Sequence, residues 1–298
     1  MRRRRVPIGP TMGIDNVFRK PIEAGLIPGV VALAANDRGV FYEGAFGRRT
    51  VDKPEPMTLD SVFRIASMTK AVTGTAAMQL VEEGRIGLDQ PMGDVLPVIK
   101  NVKVLEGFDA GGAPRLRDPR GPVTLRHLLT HTSGYGYDIF NPDIARYVES
   151  VGLPSIMSRK NGSLRVPLLF DPGTGWEYGI GIDLAGKVVE TVTGQSIEAY
   201  FRQHIFEPLG MRDTSFLLSD DMARRLVGTH IRRRQAGPDQ LRVTAGWRLL
   251  PGRRRTVLHR PGLPRFHSHA AGGRHARRRA GTQARDGEAD GVQRHRRS

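Results

Sequence analysis

The chain has 298 residues, of which 39% are hydrophobic and 26% are charged, so it is long enough for one or two globular domains with a substantial core. It contains no cysteine, which excludes disulfide bonds, thiolate metal ligands and a cysteine nucleophile. The net charge of +16 lies at the two ends, because residues 231–298 carry a net +14 and Arg2 to Arg5 add four positive charges. Residues 6–230 have a net charge of −2, so we expect this central segment to carry the fold and the chemistry.

Residues 1–11 are predicted to form a disordered basic extension. The arginine cluster is not followed by the apolar stretch of a secretory signal, and no apolar run in the chain is long enough to span a bilayer. We therefore expect a cytoplasmic protein without a membrane span.

The sequence from residue 12 to 230 has the regular pattern of a folded domain. Residues 14–25 predict a short amphipathic helix. The apolar runs 29–35 and 40–46, joined by the turn sequence Asn-Asp-Arg-Gly, predict a β-hairpin. Helix-forming residues with apolar side chains at helical spacing predict a helix over 66–84.

The second half of this segment predicts further helices separated by a long connection. Residues 105–122 are rich in glycine, proline and aspartate and predict a loop. Residues 123–130 predict a helix with Thr124 as its N-cap. Residues 183–208 predict one or two helices with a break at Gly194.

Ser67 and Lys70 form the sharpest chemical pattern in the chain. Residues three apart share a helix face, so Lys70 would lie one turn from the serine hydroxyl. The positive end of the helix dipole favours a developing alkoxide, and a partly desolvated lysine can accept the serine proton. The spacing alone equally describes a serine at a helix start beside a solvated lysine.

Three segments in order give this pattern its context: FRIASMTKAVTG at 63–74, LLTHTSGYG at 128–136 and WEYGIGIDLAG at 176–186. Together they resemble the serine β-lactamase-related superfamily, which includes class C β-lactamases, D-alanyl-D-alanine peptidases and carboxylesterases of the same fold. The resemblance covers about residues 14–230. It implies an α/β (α+β) fold, an antiparallel sheet flanked by helices with a helical insertion, and it requires no metal or organic cofactor.

The resemblance also implies roles for individual residues. Ser67 matches the acylated nucleophile, Lys70 its base, and Tyr178 the tyrosine that shares general-base work and protonates the leaving group. A buried tyrosine with a satisfied hydroxyl is the structural alternative for Tyr178. Tyr135 and Tyr137 are predicted to line the substrate pocket.

The second motif departs from the pattern of penicillin-recognising members. Those proteins have Tyr-x-Asn, whereas this chain has Tyr178-Gly179-Ile180. An asparagine amide would bind a substrate amide, and Ile180, predicted here to face the substrate, cannot. The change favours ester substrates over β-lactams.

Other kinds of site find less support. His127 and His131 lie four residues apart, but no third ligand is nearby, so we interpret them as helix-end histidines and predict no metal site. Asp183 is predicted to be a helix N-cap. The chain has no G-x-S-x-G elbow, so the other common serine-esterase fold is not indicated.

Residues 231–298 lose all periodicity and are rich in arginine without any lysine, which predicts a disordered basic tail. The family triplet that supplies a second oxyanion donor is not recognisable there, and His269 to Gly272 has no strand pattern. Arginine-rich, lysine-free sequence is typical of GC-rich coding sequence translated out of frame, and a shifted frame from about Leu249 permits family-like strings. We therefore interpret the tail as frameshifted from a point between His230 and Leu249, with C-terminal strands missing. The chain as written is expected to be poorly soluble or inactive.

Three functions follow from these observations. The main prediction is a serine hydrolase that acts through an acyl-enzyme on a small-molecule ester, with amide or β-lactam substrates as further possibilities. A β-lactamase or D-alanyl-D-alanine peptidase is the alternative, but it predicts an export signal. A basic-tail binder of nucleic acid or an anionic surface is a third, and the tail has only Trp247 and Phe266 as aromatic residues, so we expect no nucleic-acid partner.

Overall fold

A computed structural model of the chain describes residues 12–234, 241–245 and 267–269. The helices in these residues are α1 (Met12–Glu23), α2 (Thr69–Glu82), α3 (Pro97–Lys100), α4 (Leu125–Thr130), α5 (Pro142–Ser150), α6 (Gly181–Thr193), α7 (Ile197–Phe201), α8 (Glu207–Leu209) and α9 (Asp220–Arg224). The strands are β1 (Gly29–Asn36), β2 (Gly39–Gly47), β3 (Val62–Arg64), β4 (Val104–Phe108), β5 (Pro114–Arg117), β6 (His230–Arg234), β7 (Leu241–Ala245) and β8 (His267–His269). The strands pair antiparallel as β1–β2, β3–β8, β4–β5 and β6–β7. Among the described residues, no helix is both long enough and apolar enough to cross a bilayer.

The N-terminal hairpin and its helix form as the sequence predicts. β1 pairs with β2 from Gly29 opposite Gly47 to Asn36 opposite Gly39. Helix α1 contacts β2, where the Phe18 ring stacks on the rings of Tyr42 and Phe46. The Phe18 ring therefore packs α1 against one face of the hairpin, while Ile14 and Val17 of the same helix are exposed.

The core is built mainly from helices. Helix α6 contacts both α2 and α4, and these contacts bury small side chains such as Ala76 and Ala77 on α2 and Ala185 on α6. Larger buried side chains such as Leu80 and Leu128 join the same cluster. Because α2 and α4 both pack on α6, the segments that precede α2 and α6 and the end of α4 lie near one another.

The predicted helices at 66–84, 123–130 and 183–208 are confirmed, with boundaries that differ by a few residues. Thr124 is the N-cap of α4, and its side chain accepts from the backbone of His127 in a capping box. Gly194 ends α6 in the left-handed conformation, with φ of 69°.

The loop prediction for 105–122 is wrong. The segment contains the β4–β5 hairpin, in which Leu105 lies opposite Leu116. The glycine and aspartate that suggested a loop form its turn, because the Asp109 carboxylate accepts from the Ala113 backbone at 2.8 Å. The turn residues mark only the tip of a hairpin. The strands on either side were not predicted because they are too short to show an alternating apolar pattern.

The C-terminal segment contains more regular structure than predicted. Strands β6, β7 and β8 lie in it, and His269 in β8 pairs with Val62 in β3, so the expectation that His269 lacks strand context is wrong. The remaining predictions for the tail, and the prediction for residues 1–11, lie outside the described residues. The frameshift interpretation stays a prediction.

Candidate active site

Ser67 lies in a strained turn between β3 and α2. Residues Ala66 to Met68 form a 3-10 turn that leads directly into α2, and Ala66 has a φ of 43°, an unfavourable left-handed conformation for a residue with a Cβ. The preceding strand is fixed, because the backbone of Val62 donates to Arg225 at 2.9 Å and accepts from Val227 at 2.8 Å. The exposed serine is therefore presented at the positive end of α2.

Lys70 and Tyr178 both reach the Ser67 hydroxyl. The Lys70 Nζ lies 3.3 Å from Ser67 Oγ, and the Tyr178 hydroxyl lies 2.8 Å from the same atom. The Lys70 ammonium also lies 4.9 Å from the centre of the Tyr178 ring. The three residues predicted to be catalytic are thus brought together around one oxygen atom.

The environment of Tyr178 makes ionisation of its hydroxyl easier. Burial acts to raise the pKa of Tyr178, but the hydrogen bond to Ser67 and the hydrogen bond and positive charge of Lys70 outweigh it. The net result is a pKa below the ordinary tyrosine value. A tyrosine oxygen of this kind can accept a proton from Ser67 and return it to a leaving group.

A close backbone contact holds the segment around Tyr178 in place. A Cβ on Gly179 would lie 2.0 Å from the carbonyl oxygen of Tyr135, so only glycine fits at this position. The Glu177 backbone also donates to the carbonyl oxygen of His131 at 2.9 Å. The chain that follows α4 therefore packs directly against the backbone of residues 177–179 and fixes their position.

Tyr137 and Asp183 lie behind this triad. The Tyr137 hydroxyl donates to Asp183 Oδ2 at 2.6 Å, and the Tyr137 ring lies 5.5 Å from the Tyr178 ring and 5.6 Å from the Lys70 Nζ. Burial raises the pKa of Asp183 to about 6, although the Tyr137 hydrogen bond and the Lys70 charge lower it. Burial, together with the Asp183 charge, also raises the pKa of Tyr137.

The N-cap prediction for Asp183 is wrong. The N-cap residue of α6 is Ile180, without a side-chain hydrogen bond, and Asp183 lies within the first turn. Its acceptor oxygens are used by Tyr137 instead. The sequence signal was an acidic residue on an otherwise apolar helix start, but its partner is 46 residues away in the chain.

Two residues predicted to contact substrate are placed in the core. Tyr135 and Ile180 are each only 1% exposed and belong to the main hydrophobic cluster, so as pocket-lining side chains these predictions are wrong. Ile180 is an apolar residue at the start of α6, and its side chain packs inward as the helix begins. Tyr137 is also buried, but its ring adjoins Lys70 and Tyr178.

Exposed aromatic side chains flank Tyr178, and the sequence analysis missed them. Phe140 is 66% exposed with its ring 6.1 Å from the Tyr178 ring. Trp176 is 64% exposed and lies 6.0 Å from the His131 ring, which in turn lies 4.9 Å from Tyr178. Burial and then the Lys70 charge lower the pKa of His131, which favours a neutral ring near neutral pH.

No group of histidine and acidic side chains in the described part of the chain could hold a metal ion. His127 pairs with Thr124 in the capping box and His131 ends α4 as its C-cap, so both are helix-end histidines as predicted.

Comparisons with known proteins identify the family and its relatives. The family described as Beta-lactamase matches residues 14–288, a range that takes in part of the arginine-rich segment. A monacolin J acid methylbutanoyltransferase from Aspergillus terreus is 40% identical over 235 residues, which cover 74% of this chain and 56% of that protein. A lovastatin esterase from Penicillium rubens is 38% identical, with 72% of this chain and 55% of that protein covered.

The solved structures show the same relationship. The unliganded simvastatin synthase LovD from Aspergillus terreus superposes with a TM-score of 0.76 at 34% identity, covering 89% of this chain and 66% of that one. The chain spans about half the length of the curated relatives it matches.

Proposed function

The chain belongs to the Beta-lactamase family, and from that premise we propose that it is a serine enzyme that transfers acyl groups from small-molecule esters through an acyl-enzyme on Ser67. The observation that carries the proposal is the convergence of the Lys70 Nζ, at 3.3 Å, and the Tyr178 hydroxyl, at 2.8 Å, on Ser67 Oγ. A nucleophile within hydrogen-bond reach of two proton-transfer groups is the arrangement that acyl transfer needs.

The reaction begins with attack of Ser67 Oγ on the ester carbonyl carbon. The proton of the hydroxyl passes to Tyr178, whose lowered pKa favours the phenolate, while the Lys70 charge stabilises that phenolate. The negative charge that develops on the carbonyl oxygen is stabilised by the N-terminal end of α2. Collapse of the tetrahedral intermediate breaks the ester C–O bond, and the departing alkoxide takes the proton back.

The acyl-enzyme then reacts with water or with an alcohol. Water completes hydrolysis, and an alcohol completes acyl transfer, by the same steps in reverse. Both outcomes are represented among the relatives, one named a methylbutanoyltransferase and another a lovastatin esterase. We propose ester hydrolysis and acyl transfer as two outcomes of one intermediate.

Two features support esters with an apolar portion over β-lactams. The third position of the second motif holds Ile180, which has no amide and lies in the core, so this position offers no hydrogen bond to a substrate amide. The exposed rings of Phe140 and Trp176 beside Tyr178 offer apolar surface to a substrate group. A cytoplasmic location stays a prediction from the sequence.

The proposal is tested by following the acylation of Ser67 in the full 298-residue chain. We expect p-nitrophenyl butyrate to release one equivalent of p-nitrophenol in a burst and to add a butyryl group, detected by intact mass and mapped to Ser67. An alkyl fluorophosphonate, which loses fluoride on attack by an activated serine, is expected to label the same residue. Ser67→Ala is expected to abolish both, because no other described hydroxyl has this arrangement.

The matched control is Ser150→Ala, which removes an exposed serine at the end of α5 and is expected to react as the wild type does. A folded wild-type chain that neither shows a burst nor takes up the fluorophosphonate at Ser67 would refute the proposal. Turnover is scored separately from acylation. Sustained Ser67-dependent turnover would instead show that the sequence-based expectation of an inactive chain is wrong.

A further inference from the structure

We infer that Asp183 and Tyr137 form a positioning pair that holds Lys70 and Tyr178 in the arrangement that activates Ser67. The inference rests on the proposed function, and it assigns a role to two residues that do not touch the nucleophile. Neither residue belongs to the Ser-x-x-Lys or Tyr-x-Ile motif of this chain.

The first support is geometric. The Tyr137 hydroxyl is fixed by its 2.6 Å hydrogen bond to Asp183 Oδ2, at the start of α6. The Tyr137 ring then contacts both proton-transfer groups, because it lies 5.6 Å from the Lys70 Nζ and 5.5 Å from the Tyr178 ring. Movement of the Tyr137 ring would therefore remove a contact that holds the side chains of Lys70 and Tyr178 in place.

The second support is electrostatic. A buried carboxylate costs free energy unless it is hydrogen-bonded or paired. Asp183 has the Tyr137 hydroxyl as donor and the Lys70 ammonium close enough to favour its charge. The charge of Asp183 is also felt at Tyr178, where it opposes ionisation, so all three neighbours are coupled to one carboxylate.

The direction in which Asp183→Asn changes the stability of the fold distinguishes a positioning role of Asp183 from a purely structural one. Asp183 ionises at a pKa of about 6 in the folded chain against 3.8 as the ordinary value, so the folded state holds its proton more tightly. Stability contributed by this group is therefore present at low pH and declines as the pH rises through that interval. Asp183→Asn is then expected to leave the melting temperature at pH 8 unchanged or raised, whereas a purely structural partner would lower it.

The test is the pH dependence of fluorophosphonate labelling of Ser67 in the full chain. We expect the wild-type rate to rise through a step near pH 6 as Asp183 ionises, because the Tyr137 hydrogen bond and the Lys70 charge both favour the carboxylate, and the firmer placement of these groups outweighs the charge effect at Tyr178. Asp183→Asn is expected to remove the step and to slow labelling at pH 8 about tenfold. Tyr137→Phe is expected to slow labelling by a similar factor and to move the step to higher pH, because the Tyr137 hydrogen bond lowers the pKa of Asp183.

Two comparisons complete the design. The double variant is expected to be no slower than the slower single variant, because residues of one hydrogen-bonded pair lose the same interaction. Asp143→Asn is the matched control, since Asp143 is an exposed acidic residue in the first turn of α5, and it is expected to match the wild type.

The outcomes that overturn the inference differ from those that overturn the proposed function. A step that persists in folded Asp183→Asn belongs to another group, with His131 beside Tyr178 as the other candidate, and overturns the inference alone. Single-variant effects that multiply in the double variant also overturn it alone. A wild-type chain without labelling at Ser67 refutes the proposed function, and the inference falls with it.

Discussion

The two sides of the site differ in how the chain builds them. The nucleophile side consists of β3, the 3-10 turn and the start of α2, and places the exposed Ser67 three residues from the half-buried Lys70. The tyrosine side lies within the chain from His131 to Asp183, and it joins residues up to 46 positions apart, with Tyr137 and Ile180 buried. The nucleophile side is thus fixed by local helix geometry, and the tyrosine side by long-range packing.

This difference separates two kinds of sensitivity to substitution. A change on the nucleophile side removes a chemical group while the helix that carries it persists. A change on the tyrosine side disturbs contacts such as the backbone approach of Gly179 to Tyr135, so chemistry and stability change together. The following substitutions test whether that separation holds.

The largest effect is expected from Lys70→Met on the nucleophile side. Methionine keeps the length of the side chain but removes the ammonium beside Ser67 Oγ whose charge lowers the pKa of Tyr178, and loss of general-base catalysis costs about a thousandfold in rate. We expect the acylation rate to fall by about that factor while the melting temperature changes by only a few degrees. Lys53→Met, at an exposed loop position, serves as the control.

The opposite outcome has a clear meaning. If Lys70→Met unfolds the chain, or if it leaves the acylation rate unchanged, then chemistry and stability are not separated on the nucleophile side. The two sides of the site would then respond to substitution in the same way.

Gly179→Ala is expected to act on the tyrosine side mainly through stability. The added Cβ would lie 2.0 Å from the Tyr135 carbonyl oxygen, a backbone atom that cannot move independently. Overpacking of this kind costs about 3 kcal/mol, so we expect a lower free energy of unfolding in urea together with slower acylation.

Gly74→Ala provides a control of opposite sign. Gly74 lies inside α2, and a Cβ there would meet no other atom within 4 Å. Replacing a helical glycine by alanine stabilises by about 0.5–1 kcal/mol. Equal stability of the two alanine variants would show that the backbone approach at Gly179 does not hold the tyrosine side.

The sequence predicted the nucleophile side well for the same physical reason. The helix and the placement of Lys70 one turn from Ser67 follow from short-range spacing, although their catalytic roles were assigned through the resemblance, and the N-cap role of Thr124 follows from local capping chemistry. Tyr178 was identified through resemblance of its segment, since no spacing rule joins it to a serine 111 residues away.

The wrong predictions share the opposite origin. Whether Ile180 faces substrate or core depends on how α6 sits on its neighbours, and the partner of Asp183 depends on where the chain after α4 passes. Phe140 and Trp176 were missed because an exposed aromatic side chain gains meaning only from its neighbours. These relationships are long-range, so periodicity and capping rules contain no signal for them.

The smallest effect is expected from Phe140→Ala, which tests the exposed surface between the two sides. Phe140 is 66% exposed and its ring lies beside both Tyr137 and Tyr178, so its removal opens no cavity in the core but takes apolar area from the rim of the site. Covering about 40 Å² of such a ring is worth about 1 kcal/mol, or roughly fivefold in binding. We expect the concentration of p-nitrophenyl butyrate that half-saturates acylation to rise by about that factor, with the maximal acylation rate unchanged.

The control and the chain-length dependence make this prediction specific. Leu209→Ala, at a partly exposed apolar position in α8, is expected to leave both parameters unchanged. The effect of Phe140→Ala should shrink with p-nitrophenyl acetate and grow with longer acyl chains if the ring contacts the acyl group. An effect of equal size for every acyl length would place the contact on the alcohol portion, and a fall in the maximal rate instead would make Phe140 part of the support for Tyr178.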